Sequence, residues 1–319
     1  MYRFIDDPGR RKEKHLIWAA TRSVLENIEF FRNRSGKKSK SRWNLLVRLL
    51  NIFAVLLKIS GYYRKGYGNA KAINISKITL EYSNLPSAFD GFRLLHLSDL
   101  HIDHIPGFAS IINDKVKQLE FDICFLTGDY RKDLSGSITH IIKPFKILSG
   151  YIQAPFGTFA VLGNHDTYLM AQYDKEVGIE LLVNESVEIE KDGQRILVTG
   201  TDDPFNYYTE QAMLCLDTKG YDFKIALVHT TELATTAAKN NYDLYLCGHT
   251  HGGQICLKNG FPLISHQFEG KRFNHGQWRI GKMTGYTSKG VGVSGIPIRF
   301  NCPAEITLIT LMKNKTNIF

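Results

Sequence analysis

The chain has 319 residues, of which 43% are hydrophobic and 22% charged, a composition that excludes a disordered or fibrous protein. Its formal net charge of +9 is unevenly distributed, because residues 1–66 hold 16 Lys and Arg against 5 Asp and Glu. The remaining residues hold 24 against 26 and are nearly neutral, which argues against a general nucleic-acid-binding surface. We therefore expect no nucleic-acid partner, whereas the basic N-terminal part suits an anionic membrane surface.

Two amphipathic helices are predicted at the N terminus. Apolar residues recur at helical spacing over Glu13–Arg34, and a basic, serine-containing linker follows. The segment Trp43–Ser60 is the most hydrophobic of the chain, but Arg48 and Asn51 keep it shorter than the roughly 18 apolar residues of a membrane span. Its polar positions share one stripe, which is typical of a helix lying in a membrane interface, although packing on the protein's own core would also account for it.

The N-terminal composition sets the predicted domain organisation. Residues 1–66 are interpreted as a basic, membrane-associating extension, and residues 67–319 as one catalytic domain. Arg10-Arg11 is similar to the start of a twin-arginine export signal, but the apolar segment begins only about thirty residues later and no cleavage site follows. We therefore expect a retained, peripheral protein. Cys124 and Cys247 lie in apolar runs and no CxxC pair is present, so a reducing compartment is expected.

From Ile78 onward, short β-rich runs alternate with helical stretches. Several of the runs are apolar throughout, as expected of strands covered on both faces. The runs are Phe92–Leu97, Phe121–Leu126, Thr158–Leu162, Arg195–Thr199, Phe223–Val228, Leu244–Cys247 and Glu305–Leu311. Amphipathic segments such as Phe108–Leu119 and Ile138–Leu148 supply the cover, so the predicted fold class is α/β with buried sheets.

Polar residues of the kinds that bind metals follow five of these runs. They are Asp99 and His101, then Asp129, then Asn164, His165 and Asp166, then His229, and finally His249 and His251. Open sheets place their ligand sites beyond the carboxyl ends of strands, so these residues could converge on one crevice. The set contains carboxylates, imidazoles and a carboxamide but no thiolate, which suits two ions of Mn²⁺, Fe or Zn²⁺ that share Asp129.

The ordered motifs DLH, GD, GNHD, H and GHTH resemble those of the calcineurin-like metallophosphoesterases, from Phe92 to the C terminus. The resemblance implies a four-layer αββα sandwich, here with an N-terminal amphipathic helical extension. It implies two divalent ions, most simply Mn²⁺, the first bound by Asp99, His101, Asp129 and His251 and the second by Asp129, Asn164, His229 and His249. It also implies that His165 acts as the general acid and that Asp166 orients it.

Two further stretches resemble one branch of this family. Gly252-Gly253-Gln254 and the tail from Ser288 to Ile306 are similar to the membrane-associated bacterial branch, which includes UDP-2,3-diacylglucosamine pyrophosphatases of the chlamydial type. The resemblance implies cleavage of that lipid-linked nucleotide to UMP and 2,3-diacylglucosamine 1-phosphate in lipid A biosynthesis, on the cytoplasmic face of the bacterial inner membrane. A generic metal-dependent phosphodiesterase or phosphatase, and an inactive membrane-bound scaffold, are the alternatives.

The sequence indicates the residues that line the substrate site less clearly than it indicates the metal ligands. The short separation between Asp129 and Asn164 leaves little room for an inserted lid. We expect the walls to come from the N-terminal extension and from Leu257–Tyr286, whose basic residues could meet a diphosphate. The candidates are Lys258, Lys271, Arg272, Arg279 and Lys282, with Asp103, His104 and Tyr130 at the rim.

Overall fold

In a computed structural model of the chain, the described residues are 1–35, 48, 52–134, 136–263 and 273–314, and they build two β-sheets. The strands are β1 (Tyr2–Phe4), β2 (Asn74–Tyr82), β3 (Phe92–Leu97), β4 (Ile123–Thr127), β5 (Thr158–Val161), β6 (Glu180–Leu181), β7 (Glu185–Lys191), β8 (Gln194–Gly200), β9 (Lys224–Leu227), β10 (Leu244–Cys247), β11 (Gly276–Ile280), β12 (Met283–Thr287) and β13 (Glu305–Lys313). The α-helices are α1 (Pro8–Ser35), Tyr62–Lys71, Phe108–Val116, Thr139–Ser149, Asp174–Val177, Glu210–Leu214 and Ala234–Lys239, and residues 52–59 are also helical. Short 3₁₀ turns cover Ser87–Phe89, Tyr168–Gln172 and His251–Gly253.

Both sheets are mixed, with a central run of parallel strands. One sheet has the order β2-β13-β3-β4-β5-β6, in which β3 to β6 are parallel and β13 is antiparallel to β3. The other has the order β1-β7-β8-β9-β10-β12-β11, in which β8, β9, β10 and β12 are parallel. Parallel neighbours end at the same edge, so the loops that follow β3, β4 and β5, and those that follow β9 and β10, each gather at one edge of their sheet.

Apolar side chains fill three layers between the elements. A cluster that includes Phe125 and Phe159 from one sheet and Ile225 and Leu246 from the other lies between the two sheets. Helices Phe108–Val116 and Thr139–Ser149 cover the outer face of the first sheet, and the helix Ala234–Lys239 packs on the second. The α/β fold with two sheets flanked by helices is therefore confirmed, and so are the seven predicted strands.

Strand β1 and one side of α1 pack against the body of the protein. Strand β1 extends the seven-stranded sheet through antiparallel pairing with β7. On α1, Trp18 is 7% exposed and belongs to the core under the first sheet's helices. The predicted boundary at residue 66 stays a prediction, but part of the predicted extension is joined to the fold.

The predicted interfacial helix Trp43–Ser60 lies only partly within the described residues, which include Arg48 and residues 52–60 of it. Among the helices that the structure describes, none is long and apolar enough to cross a membrane.

Candidate metal centre

The nine predicted site residues lie in the loops that leave β3, β4, β5, β9 and β10. Seven of them are buried, and His165 and His249 are half-buried. Their side chains form two groups that could each hold a metal ion. The first group is Asp99, His101 and His251, and the second is Asp129, His229 and His249, with the ligand atoms of each group within 4.8 Å of one another.

In the first group, two imidazole nitrogens face each other beside a carboxylate. His101 Nε2 lies 3.2 Å from His251 Nε2, and His251 Nε2 lies 3.6 Å from Asp99 Oδ1. His101 Nδ1 donates a hydrogen bond to the Arg131 carbonyl at 2.7 Å, which leaves the Nε2 of a neutral ring with a lone pair toward the site. This arrangement orients a ligand nitrogen before any ion is bound.

In the second group, Asn164 completes the set that the sequence predicted. Its Oδ1 lies 3.1 Å from His229 Nε2 and 2.8 Å from His249 Nδ1. His229 Nδ1 donates to the Thr127 carbonyl at 2.7 Å, so the Nε2 of a neutral ring would present a lone pair to an acceptor oxygen. That contact is favourable only when a cation, either a proton or a metal ion, lies at the nitrogen, so the residues fit a divalent ion.

Asp129 lies between the two groups. Its Oδ2 is 3.4 Å from His229 Nε2 in the second group and 3.8 Å from His101 Nε2 in the first. The same oxygen can therefore serve both groups, as expected of a carboxylate that bridges two ions.

The backbone at the site is held in a sparsely populated conformation. Asp99, His101, Asp129, His249 and His251 all have positive φ, between 36° and 72°. Such conformations cost on the order of 1–3 kcal/mol each and persist where the surroundings enforce them, commonly at active sites.

Two glycines permit the loops to approach so closely. A Cβ at Gly248 would lie 1.9 Å from Ser98 Oγ and 2.2 Å from Asp99 Oδ2, and one at Gly163 would lie 2.3 Å from Asp129 Oδ1. Any side chain at these positions would displace a carboxylate of the site. The glycine that precedes His249 is therefore required by the metal groups and not only by a turn.

The electrostatics of the second group favour a cation. Burial opposes the charged form of Asp129, but the imidazoles of His229 and His165 hold the pKa of its carboxyl well below the usual range. Burial also opposes a charged His229, but Asp129 beside it raises the pKa of this imidazole well above its ordinary value. In the first group, burial lowers the pKa of His101 and of His251, so both rings are neutral and ready to act as ligands.

Metal binding at the second group is expected to release a proton. The raised pKa of His229 keeps its ring protonated at neutral pH without metal, and a ligand imidazole must be neutral. Below that pKa, the affinity for Mn²⁺ should fall by up to about tenfold per pH unit. Calorimetry in buffers of different ionisation enthalpy should count about one proton released at pH 7, and His229→Gln should abolish this release. Proton-neutral binding by the unmodified chain would contradict a ligand role for His229.

The structure corrects the expected role of Asp166. Its carboxylate accepts hydrogen bonds from the backbone amides of Gly163 (2.7 Å), Asp129 (2.7 Å) and Tyr130 (2.9 Å), and not from His165. The His165 ring is instead oriented by the Lys132 carbonyl, to which Nδ1 donates at 2.7 Å. Asp166 therefore ties the loop after β4 to the loop after β5.

Two predicted substrate residues are placed far from the site. Arg279 pairs with Thr284, which pairs with Leu244 at the start of β10, whereas the site lies beyond the end of β10. Lys282 lies in the turn between β11 and β12, at the same end of the sheet as Arg279. Neither residue can therefore meet a substrate at the metal groups.

Tyr130, which was expected at the rim of the site, is buried instead. It is 1% exposed, and its hydroxyl donates to the Val161 carbonyl at 2.6 Å. Lys271 and Arg272 lie outside the described residues.

The sequence analysis missed two carboxylates at a sixth strand end. Asp202 and Asp203 follow β8 and are 1% and 0% exposed. Burial raises the pKa of Asp203 to about 6, and His229 partly opposes the rise. The signal was present, because Thr201-Asp202-Asp203 follows a predicted strand as the other site residues do.

Two carboxylate and imidazole groups with Asp129 between them, at the strand ends of a two-sheet α/β fold, are the arrangement expected of a metal-dependent phosphoesterase site. The sequence agrees with this class. The family model described as calcineurin-like phosphoesterase matches residues 92–253, about half of the chain, and the chain belongs to this family. The protein is therefore a metallophosphoesterase, a hydrolase that uses divalent metal ions.

Similar proteins occur in bacteria and in vertebrates. The chain is 29% identical over 270 residues to the uncharacterized metallophosphoesterase YkuE of Bacillus subtilis, covering 77% of this chain and 90% of that protein. It is 29% identical over 238 residues to the phosphodiesterase YaeI of Escherichia coli, covering 69% and 82%. It is 28% identical over 273 residues to a transmembrane protein with metallophosphoesterase domain of Danio rerio, covering 77% and 59%.

Proposed function

We propose that this metallophosphoesterase hydrolyses the diphosphate bond of a membrane lipid precursor, most specifically UDP-2,3-diacylglucosamine, to UMP and 2,3-diacylglucosamine 1-phosphate. The enzyme would act in lipid A biosynthesis, bound peripherally to the cytoplasmic face of the bacterial inner membrane. The first ion would be held by Asp99, His101, Asp129 and His251, and the second by Asp129, Asn164, His229 and His249. Mn²⁺ suits these nitrogen and oxygen ligands, as do Fe and Zn²⁺.

The bound ions and His165 would have different roles in the reaction. Two bound ions, held by the residues named above, would supply positive charge for the phosphoryl oxygens and would activate water as the nucleophile. His165 is half-buried, and its ring centroid is 4.9 Å from that of His101 at the edge of the metal groups. Because its Nδ1 donates to the Lys132 carbonyl, its Nε2 can carry the proton that the leaving oxygen needs. Asp129 Oδ1 also accepts a hydrogen bond from the His165 backbone amide at 2.8 Å. This bond holds the proposed general acid beside the proposed bridging carboxylate.

An exposed apolar stripe supports a lipid substrate. On α1, Ile17, Val24 and Ile28 share one side of the helix and are 62%, 56% and 54% exposed. Residues 52–59 repeat the pattern, with Ile52 and Ile59 56% and 80% exposed. Isolated exposed apolar residues are ordinary, but a line of them on a helix among many Lys and Arg residues is typical of a helix that enters a membrane interface.

A phosphodiesterase that acts on a water-soluble substrate is the second candidate. It is favoured by the similarity to YaeI, which is named a phosphodiesterase. This candidate uses the same metal groups but has no need of the apolar stripe. An inactive membrane-bound scaffold would need the apolar stripe but not the metal groups.

The test compares a lipid with a soluble substrate. UMP release from UDP-2,3-diacylglucosamine in lipid vesicles and cleavage of bis(p-nitrophenyl) phosphate in buffer are measured with Mn²⁺. The triple variant Ile17→Ser, Val24→Ser, Ile28→Ser should lose about tenfold or more of the lipid rate and keep the soluble rate, because it weakens interfacial binding. Leu214→Ser, at an exposed leucine (56%) outside the stripe, is the control and should keep both rates.

Each outcome selects one candidate. Cleavage of the soluble diester without UMP release would replace the lipid proposal by the soluble phosphodiesterase. Absence of both activities at saturating Mn²⁺ would favour the scaffold. Equal loss of both rates in the triple variant would show that the stripe serves folding and not lipid binding.

A further inference from the structure

The buried face of α1 reaches the loop that carries two site residues. The Arg22 side chain is fully buried, and its Nη2 donates to the carbonyls of Gly163 (3.3 Å) and Asp166 (3.0 Å). These two carbonyls stand on either side of Asn164 and His165. One guanidinium group therefore spans the backbone between a predicted metal ligand and the predicted general acid.

A second residue of α1 holds the next part of the same loop. Glu26 accepts hydrogen bonds from the Thr167 hydroxyl (2.7 Å) and from the Tyr168 amide (2.9 Å). The Glu26 carboxylate also accepts a hydrogen bond at 3.0 Å from Nε of Arg22, which lies one helical turn earlier. Arg22 and Glu26 thus bind four backbone or side-chain groups of the loop over residues 163–168.

The Arg22 guanidinium makes further contacts outside loop 163–168. Its Nη1 donates to Asp202, which also accepts Trp18 Nε1 at 2.7 Å, and the Tyr207 ring lies 3.4 Å from its Cζ. Burying an arginine costs several kcal/mol unless its donors are satisfied, and the pairing with Asp202 keeps this group charged. The docking of α1 onto the protein does not depend on the burial of Arg22, because Trp18 and the ion pair of Arg11 with Glu185 also attach the helix.

We propose that α1 is part of the catalytic unit, in which Arg22 and Glu26 are positioning residues that hold loop 163–168 so that Asn164 and His165 face the metal groups. Neither residue touches the reacting atoms. The proposal depends on the metallophosphoesterase site and not on the lipid substrate, so it goes beyond the proposed function. It also joins that site to the helix whose other side exposes the apolar stripe.

The test uses two arginines of the same helix. Arg11 resembles Arg22 chemically, since it pairs with Glu185, donates to the Leu181 carbonyl at 3.2 Å and lies 3.6 Å from the Phe4 ring, and none of these three partners belongs to loop 163–168. Arg22→Met should weaken the second Mn²⁺ site about tenfold in calorimetry and lower kcat on bis(p-nitrophenyl) phosphate by roughly 10- to 100-fold. KM should change by less than about threefold. Arg11→Met should leave Mn²⁺ affinity and kcat within about threefold of the unmodified protein.

A rescue variant and a folding control complete the design. Arg22→Lys retains the charge but cannot span both carbonyls and Asp202, so it should recover only part of the loss. If Arg22→Met does not fold by circular dichroism, Glu26→Ala leaves the arginine in place and should lower kcat by about three- to tenfold. Wild-type Mn²⁺ affinity and kcat in these variants, or an equal loss in Arg11→Met, would overturn the proposal, since the latter would show that helix docking alone matters.

Discussion

Replacing Asp129 with alanine is expected to disturb both metal sites and to lower turnover by about 10³-fold or more. The carboxylate lies within 3.4 Å of His229 and 3.8 Å of His101, so its loss removes a ligand from each group. It also removes the negative charge that raises the pKa of His229. Truncation of a bridging ligand should therefore exceed the effect of losing any ligand that serves one ion.

The control for Asp129→Ala is a half-buried carboxylate at the other end of a sheet. Asp243 precedes β10 and accepts the Lys224 amide at 2.8 Å, far from the residues that follow β10. Asp243→Ala should lower stability but retain Mn²⁺ binding. The two variants are compared by calorimetric Mn²⁺ titration and by hydrolysis of bis(p-nitrophenyl) phosphate. Two-ion binding by Asp129→Ala would exclude the bridging role.

Replacing His165 with alanine should retain metal binding and lower kcat by roughly 10²–10⁴-fold for substrates with a basic leaving group. The ring lies beside the metal groups, but its Nδ1 is committed to the Lys132 carbonyl. A group that supplies a proton matters most when the leaving oxygen is strongly basic. For a p-nitrophenolate leaving group, which needs no proton, the loss should be under about tenfold.

The measurement is the ratio of kcat for an alkyl and an aryl leaving group, with and without His165. His140 supplies the control, because this exposed histidine pairs with Asp103 at 2.9 Å and belongs to neither metal group. His140→Ala should leave both rates within about threefold of the unmodified protein. An equal loss for both leaving groups in His165→Ala would assign His165 to positioning or metal binding and not to proton transfer.

The site could be predicted from the sequence because its ligands follow short, largely apolar strands. Parallel strands that end at a common edge bring His101 and His251 together although 150 positions separate them. His249 and His251 lie two positions apart in one loop, yet their side chains belong to different metal groups. Both histidines have positive φ, which an extended segment does not have. The alternation of side chains along an extended strand therefore does not apply to this loop.

The contacts that hold the site together could not be predicted in the same way. The inner face of α1 contains an arginine whose partner, Asp202, lies 180 positions away, and helical periodicity carries no information about such a pair. The exposed Ile17 and Val24 lie on the side that periodicity alone would assign to a core. The hairpin of β7 and β8 was also missed, although Asp192-Gly193 is a turn signal, because β7 contains three glutamates.

The number of Mn²⁺ ions that each chain needs for full turnover tests the central claim most directly. Metal-free protein is titrated with Mn²⁺ while bound ions are counted by calorimetry and hydrolysis of bis(p-nitrophenyl) phosphate is followed. Two groups of ligands around Asp129 predict two ions per chain, with activity that rises mainly with the second equivalent. Full activity with one ion, or without any, would contradict a dinuclear centre.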